Sequence, residues 1–208
     1  MNSFLTYMHQ GGVMMYPLIL CAIVAIGIIL ERMIAFRKAS AVDPEVLLDD
    51  VRDATKSGDY AAAIRHMETF KTPLARIMIS GLRNADRSPE AMEIAMAHEA
   101  ASELPALENY LLGLKTIITI APLLGLLGTI AGMISSFKQV AAGGLSSPTA
   151  VMSGVSESLI STATGIVVAT AAVIFYNYFS NLIKRFVEDL EYYGDELTNL
   201  VTDRVVHS

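Results

Sequence analysis

Charged residues and cysteine are both scarce in this sequence. Asp, Glu, Lys and Arg make up 17% of its 208 residues, whereas 53% are hydrophobic, which is too apolar for an ordinary soluble domain of this size. The single cysteine, Cys21, excludes an internal disulfide. The net charge of −6 is not the basic signature of a nucleic-acid-binding protein, so no nucleic-acid partner is expected. The composition therefore indicates an integral membrane protein.

Three apolar runs are long enough to cross a bilayer as helices. They cover residues 13–30, 116–137 and 154–180, and they predict an all-α, polytopic membrane protein whose long helices extend into a cytoplasmic helical domain. Arg32, Arg37 and Lys38 follow the first run, whereas a signal peptide carries its basic residues before the apolar segment. The first run is therefore expected to stay as an anchor.

The polar region 31–115 and the tail 181–208 carry helix signals. Asp43-Pro44, Gly58-Asp59 and Ser88-Pro89 are typical helix starts, and we predict helices near 44–56, 60–70, 73–84 and 89–113. The last of these has no clear stop, so we expect it to enter the membrane as one long helix bent at Pro105. The tail is predicted to form an amphipathic helix that packs on the helices of the polar region.

The distribution of basic residues predicts the orientation. Eleven Lys or Arg residues lie in 31–115 and three lie beyond residue 180, whereas only Lys138 lies between the second and third runs. The positive-inside rule then places residues 1–12 and the short loop 138–153 outside, and both 31–115 and 181–208 in the cytoplasm.

Catalytic and metal-binding patterns are missing. None of the three apolar runs contains His or Asp, so a serine in the membrane has no base, and no phosphate-binding or dinucleotide-binding glycine motif occurs. The four histidines are scattered outside the runs without a second ligand at metal spacing. We predict no catalytic residue, no metal site and no cofactor, and we expect that the protein is not an enzyme.

The second and third runs each carry small and hydroxyl residues at helical spacing, which a helix that only contacts lipid does not need. Two such faces predict a lined path through the membrane, and they predict a homo-oligomer because one chain cannot cover both. The candidate path residues are Gly125, Thr129, Gly132 and Ser136 on the second run and Glu157, Ser158, Ser161, Thr162 and Gly165 on the third.

Glu157 is the candidate on which the interpretation of these faces as an ion path depends. It is the only acid between Glu108 and Glu188, and carboxylates near or within the membrane commonly lie on ion paths. It could instead be a first-turn acid that interacts with the helix dipole. Thr129 and Thr162 could likewise be helix-packing residues that bond to carbonyl oxygens.

Two segments resemble the signature helices of the MotA/TolQ/ExbB proton-channel family: APLLGLLGTIAGMISSF (121–137) and GVSESLISTATGIVVATAAVIFYN (154–177). The similarity extends to GGVMMYPLIL (11–20), to Glu31-Arg32 and to the three-span topology, so it covers essentially the whole chain. Ala171 and Ala131 replace a proline and a tryptophan that are common in the family, and we expect these changes to alter bending and packing only.

The resemblance implies a location, an assembly and partners. It implies a multi-pass protein of the bacterial inner membrane with a periplasmic amino terminus and a cytoplasmic carboxyl terminus, in which five subunits surround ExbD- or TolR-like single-span partners. Thr129, Thr162 and Glu157 would then face the pore, and the proton-binding aspartate would lie on the partner helix. Three spans favour the ExbB/TolQ branch, and the glycine-rich start is more like ExbB.

Three functions stay open at this point. The first is a motor subunit that uses the proton motive force, with an ExbD-like partner and a TonB-like protein, to energise TonB-dependent outer-membrane transport. The second is a TolQ-like subunit of the Tol-Pal envelope system. The third is a passive membrane scaffold whose small-residue helices assemble a complex without passing ions.

Overall fold

The computed structural model describes residues 11–57, 59–143 and 148–207, and within these ranges the secondary structure is helical with no strand. The all-α prediction is therefore confirmed. The helices are α1 (Met15–Ala39), α2 (Pro44–Ser57), α3 (Tyr60–Met67), α4 (Pro73–Leu82), α5 (Pro89–Glu108), α6 (Leu111–Gly143) and α7 (Pro148–His207).

Three helices of the described chain are long and apolar enough to cross a membrane, as judged by length and composition. They lie within the segments Met15–Lys56, Pro89–Ala141 and Gly154–Thr202, and each segment contains the centre of one predicted run. The third run and the predicted tail helix belong to one continuous helix, α7, of 60 residues.

The described chain divides into two compact units. The first, which we call the membrane unit, contains the described residues through Glu31 together with Tyr110–Phe179. The second, the polar unit, contains Arg32–Asn109 and the described residues from Ser180 onwards. Helices α1 and α7 each contribute residues to both units.

Side-chain caps begin the short helices of the polar unit. Asp59 accepts a hydrogen bond from the amide of Ala62 (2.9 Å), and Ser88 accepts one from the amide of Ala91 (3.2 Å). Both caps were predicted, because a short polar side chain before a helix satisfies an amide that has no partner within the helix. Gly58, which was paired with Asp59 in that prediction, lies outside the described residues.

The core of the polar unit joins its short helices to the carboxyl-terminal part of α7. Leu197 is fully buried and Val201 is 3% exposed, and both belong to one apolar cluster with residues of α2–α5. The prediction that the tail packs on these helices is confirmed. The same cluster includes Leu47, Leu48, Val51, Met67, Met78, Met92, Met96 and Leu190.

The predicted continuation of α5 into the membrane as one bent helix is wrong. Pro105 lies inside α5, but the helix ends at Glu108, because Asn109 takes a non-helical conformation (ψ 143°). Tyr110 then has a φ of 63°, in the left-handed region, and α6 begins at Leu111. The chain therefore breaks at Asn109-Tyr110 and not at Pro105.

A buried arginine covers the end of α5. Arg32 is 3% exposed, and its Nη1 donates to the carbonyl oxygens of Ala106 and Leu107, both at 2.9 Å. The last carbonyl oxygens of a helix have no amide partner within that helix, so a guanidinium at this point satisfies two of them and interacts favourably with the helix dipole. Arg32 thus stabilises the carboxyl-terminal turn of α5.

Replacing Arg32 by methionine is expected to lower the free energy of unfolding by about 2–3 kcal/mol, because hydrogen bonds from a charged group to buried carbonyls are lost. Thermal unfolding of the purified protein in detergent measures the change. Arg37→Met is the matched control, since Arg37 is exposed on the same helix. Equal melting temperatures for the two variants would contradict the assigned role of Arg32.

Candidate functional site: the seam between α6 and α7

Helices α6 and α7 approach so closely within the membrane unit that their backbones are in contact. A Cβ added to Gly165 would lie 2.5 Å from the carbonyl oxygen of Ala121 and 3.2 Å from the Cα of Gly125. A Cβ added to Gly125 would lie 3.1 Å from the Cα of Thr162. We call this contact surface the seam; it is formed by Ala121, Gly125, Gly128, Gly132 and Ser136 of α6 and Gly154, Ser158, Ser161, Thr162 and Gly165 of α7.

Hydroxyl groups of α7 bond across the seam. Thr162 Oγ1 donates to the carbonyl oxygen of Gly125 at 3.1 Å. The hydroxyl of Ser158 lies 2.7 Å from the carbonyl oxygen of Gly154 in its own helix and 3.2 Å from that of Thr129 in α6. Since a bilayer core offers no water to these groups, such bonds stabilise a helix pair.

The two candidate threonines lie at different levels of the seam. Thr162 is level with Gly125, whereas Thr129 is level with Ser158, so the two threonines are separated along the helices by about one turn, or about 6 Å. Thr129 Oγ1 donates to the carbonyl oxygen of Leu126 at 2.7 Å. Both hydroxyl hydrogens are therefore directed at backbone carbonyls, and each oxygen keeps its capacity to accept a hydrogen bond.

Ser161 is the exception among the hydroxyls of the seam. It is fully buried, and its Oγ is the one buried side-chain polar atom of the described residues that has no hydrogen-bond partner. A Cβ added to Gly128 would collide with this hydroxyl, so Ser161 fills the space that the glycine leaves open. An unpaired buried hydroxyl costs about 1–3 kcal/mol, so this part of the seam is less stable than its packing alone would make it.

Glu157 lies beside the seam and reaches the amino-terminal end of α1. Its side chain is partly exposed, and its carboxylate lies directly against the Cα of Gly12. Gly12 has a φ of 72°, which favours glycine. The start of the first helix and the candidate glutamate of the third are thus in contact within the membrane unit.

The nine candidate residues fall into two groups in this structure. Six are buried in the seam: Gly125, Gly132, Ser136, Ser158, Ser161 and Gly165. Three are partly exposed: Thr129, Glu157 and Thr162. The helix-packing interpretation thus accounts for the buried members, and a pore role for the set stays a prediction.

The nine candidates leave out four residues that the contacts single out: Ala121, Gly128 and Gly154 in the seam, and Gly12. Gly154 packs against Gly132 and Ser136, since an added Cβ would lie 2.8 Å from the Gly132 carbonyl oxygen and would collide with the Ser136 hydroxyl. The available signals were the regular spacing of Gly154 from Ser158 and the glycine pair before the first apolar run.

Apolar side chains cover much of the surface of α6 and α7 outside the seam in the membrane unit. They are exposed on the single chain, as expected for surfaces that meet lipid or other subunits. Examples are Leu123, Leu127, Ile130 and Ile134 of α6 and Leu159, Ile166 and Val167 of α7. Throughout the described ranges, no group of three or more His, Cys, Asp or Glu side chains is placed to hold a metal ion.

A polytopic helical membrane protein with a glycine- and hydroxyl-lined helix pair is the class that this architecture defines. Residues 69–192 match the model of the MotA/TolQ/ExbB proton channel family. The chain belongs to that family, which consists of proton channels and transport energisers and is not an enzyme family. Together with its apolar helices, this makes it a multi-pass inner-membrane protein.

Three relatives illustrate the similarity. The putative biopolymer transport protein ExbB-like 3 of Synechocystis is 34% identical over 177 residues, which cover 84% of both chains. A putative ExbB homolog of Methanothermobacter thermautotrophicus is 28% identical over 91% of this chain and 67% of its own. The Tol-Pal system protein TolQ of Haemophilus influenzae is 32% identical over 53% of this chain and 47% of its own.

Proposed function

We propose that this chain is the channel subunit of an ExbB-type motor, which uses the proton motive force of the inner membrane to energise TonB-dependent outer-membrane transport. Family membership supports an energiser of the ExbB or TolQ type. The relatives named ExbB-like or ExbB homolog match over 84–91% of the chain and a relative named ExbB from Neisseria gonorrhoeae matches over 71%, whereas the TolQ match from Haemophilus influenzae covers 53%. We take the ExbB alternative as the proposal on the names of these relatives, and the experiment below separates it from the Tol-Pal alternative.

The proposed assembly is a homo-pentamer around one or more ExbD-like single-span helices, with a TonB-like protein as the next partner. The partial exposure of Thr129, Thr162 and Glu157 on the single chain supports it, because these polar groups are available to another helix at membrane depth. We propose that residues 1–12 and 138–153 are periplasmic and that residues 31–115 and 181–208 are cytoplasmic, on the bias of basic residues.

The proposed mechanism depends on what the two threonines can offer a partner. Because their hydrogens are engaged by carbonyl oxygens, they present accepting oxygens to the space beside the seam. An accepting oxygen bonds to a protonated carboxyl, which donates, and it disfavours a carboxylate, which can only accept. Thr129 and Thr162 would thus stabilise the neutral form of an acid on the partner helix while it passes the apolar wall.

Glu157→Gln separates the motor from a passive scaffold. The substitution removes the charge and keeps the size, so the subunits should assemble at the wild-type level. We expect ion-driven outer-membrane uptake to fall by about tenfold or more, equivalent to ~1.4 kcal/mol. Uptake of a TonB-dependent substrate is measured in cells that carry the variant as their only copy, and membrane levels are compared by immunoblot.

Glu188→Gln is the matched control, because Glu188 is an exposed acid further along the same helix. It should retain full activity. Unchanged uptake by Glu157→Gln would favour the scaffold. Normal uptake in cells that lack the protein, combined with sensitivity of their outer membrane to detergent, would favour the Tol-Pal alternative.

A further inference from the structure

Gly12 lies in the turn before α1, and its surroundings differ from those of the nearby glycines Gly11 and Gly27. The three atoms nearest to a Cβ built on it all belong to the Glu157 side chain: Oε1, Cδ and Cγ, the last two at 2.6 and 3.0 Å. The Oε1 contact is the closest of the three. Gly27, within α1, has no atom beyond its own stretch of helix backbone within 4 Å of an added Cβ.

The turn that contains Gly12 packs on both helices of the seam. A Cβ on Gly11 would lie 3.2 Å from Ile160 of α7, and a Cβ on Gly128 of α6 would lie 3.4 Å from Met14. The amide of Met15 donates to the carbonyl oxygen of Gly12 at 3.1 Å, which closes the first turn of α1. Glu157 therefore meets a packed amino-terminal turn, where the helix dipole favours a negative group.

We propose that Gly12 is a positioning residue for Glu157. The Glu157 carboxylate packs against the Cα of Gly12, which carries no side chain. The position of the first turn of α1 therefore determines where this carboxylate of α7 lies. This inference rests on the proposed function, because it takes Glu157 to act in the ion path. It adds the first helix to the parts of the chain that shape that path.

Two separate features favour glycine at position 12. The φ of 72° strains most side chains, and a Cβ would collide with the Glu157 carboxylate and displace it. Asparagine tolerates positive φ better than other non-glycine residues, yet it carries a Cβ. Gly12→Asn therefore tests the contact with Glu157 with the least backbone strain.

The first experiment is a double-mutant cycle of Gly12→Asn and Glu157→Ala on the complex purified with its partner. Glu157→Ala removes all three atoms that crowd position 12. Gly12→Asn should lower the melting temperature by about 5 °C when Glu157 is present and change it little when Ala is at 157. Equal losses in both backgrounds would mean that backbone strain alone excludes a side chain, which overturns the proposal.

The cycle is also informative if a variant does not accumulate. Absence of Gly12→Asn from the membrane, with recovery in the double variant, supports the contact. Absence of both overturns it. Gly27→Ala is the control for a side chain added to α1 and should match the wild type.

The second readout follows the carboxylate itself. Infrared spectra are recorded on protein that carries ¹³C-labelled glutamate. The carboxyl band of Glu157 is the band that is present in the wild type and absent from the Glu157→Gln variant. Gly12→Asn should shift this band and reduce ion-driven uptake severalfold, and Gly27→Ala should do neither. An unmoved band overturns the positioning role whatever the uptake. If Glu157→Gln keeps full uptake, the proposed function fails, while the band and the melting cycle still decide whether Gly12 positions Glu157.

Discussion

Replacing Thr129 or Thr162 by valine is expected to leave the protein in the membrane with its partner bound and to reduce ion-driven uptake by about tenfold or more. Valine keeps the branched shape and removes the oxygen. Because the threonine hydrogens already bond to carbonyls of Leu126 and Gly125, what the partner loses is an acceptor. Serine at either position should retain more activity than valine, since it restores that acceptor.

The two valine variants differ in their structural side effects. Thr162→Val also removes a bond across the seam, which in membranes contributes about 0.6 kcal/mol on average, whereas Thr129→Val removes only a bond within α6. Thr164→Val is the control, because Thr164 Oγ1 bonds to the carbonyl oxygen of Ile160 in its own helix. If both valine variants match Thr164→Val in uptake, the threonines are packing residues.

Replacing Gly165 by valine is expected to prevent stable packing of α6 on α7. The added Cβ would lie 2.5 Å from the Ala121 carbonyl oxygen, which is a backbone atom that cannot move without its helix. Overpacking costs about 1–3 kcal/mol where side chains can adjust, and a backbone collision is expected to cost more. The purified complex should melt far below the wild type or fail to accumulate.

Gly27→Val is the counterpart of this substitution, since it adds the same side chain to a helix of the membrane unit at a position with open space. Comparison of membrane levels and of melting temperatures in detergent distinguishes the two. A Gly165→Val complex that is as stable as Gly27→Val would show that the close seam is not required.

The apolar runs and the caps were predictable because their signals are local. A run such as 116–137 without a charge and a pair such as Ser88-Pro89 report on a few neighbouring residues. The faces of small and hydroxyl residues on the second and third runs also followed from residue spacing alone. The alignment of these two faces did not, because the contacts of Thr162 with Gly125 and of Ser158 with Thr129 depend on how the two helices pack.

The break at Asn109-Tyr110 shows why one boundary was missed. Neither glycine nor proline marks it, and tyrosine rarely takes a left-handed conformation. Arg32, far away in sequence, bonds to the carbonyls that the break leaves free. The contact of Gly12 with Glu157 was missed for the same reason, because it joins the start of the first helix to the third.

Proton flux through the isolated complex tests the central claim most directly. The chain is purified with its single-span partner, reconstituted into vesicles that contain a pH-sensitive dye, and exposed to an imposed membrane potential. We predict acidification above that of empty vesicles, lost in Thr129→Val and Thr162→Val and retained in Thr164→Val. Wild-type complex that passes no protons, or valine variants at positions 129 and 162 that pass them at the wild-type rate, would contradict the assignment of these residues to an ion path.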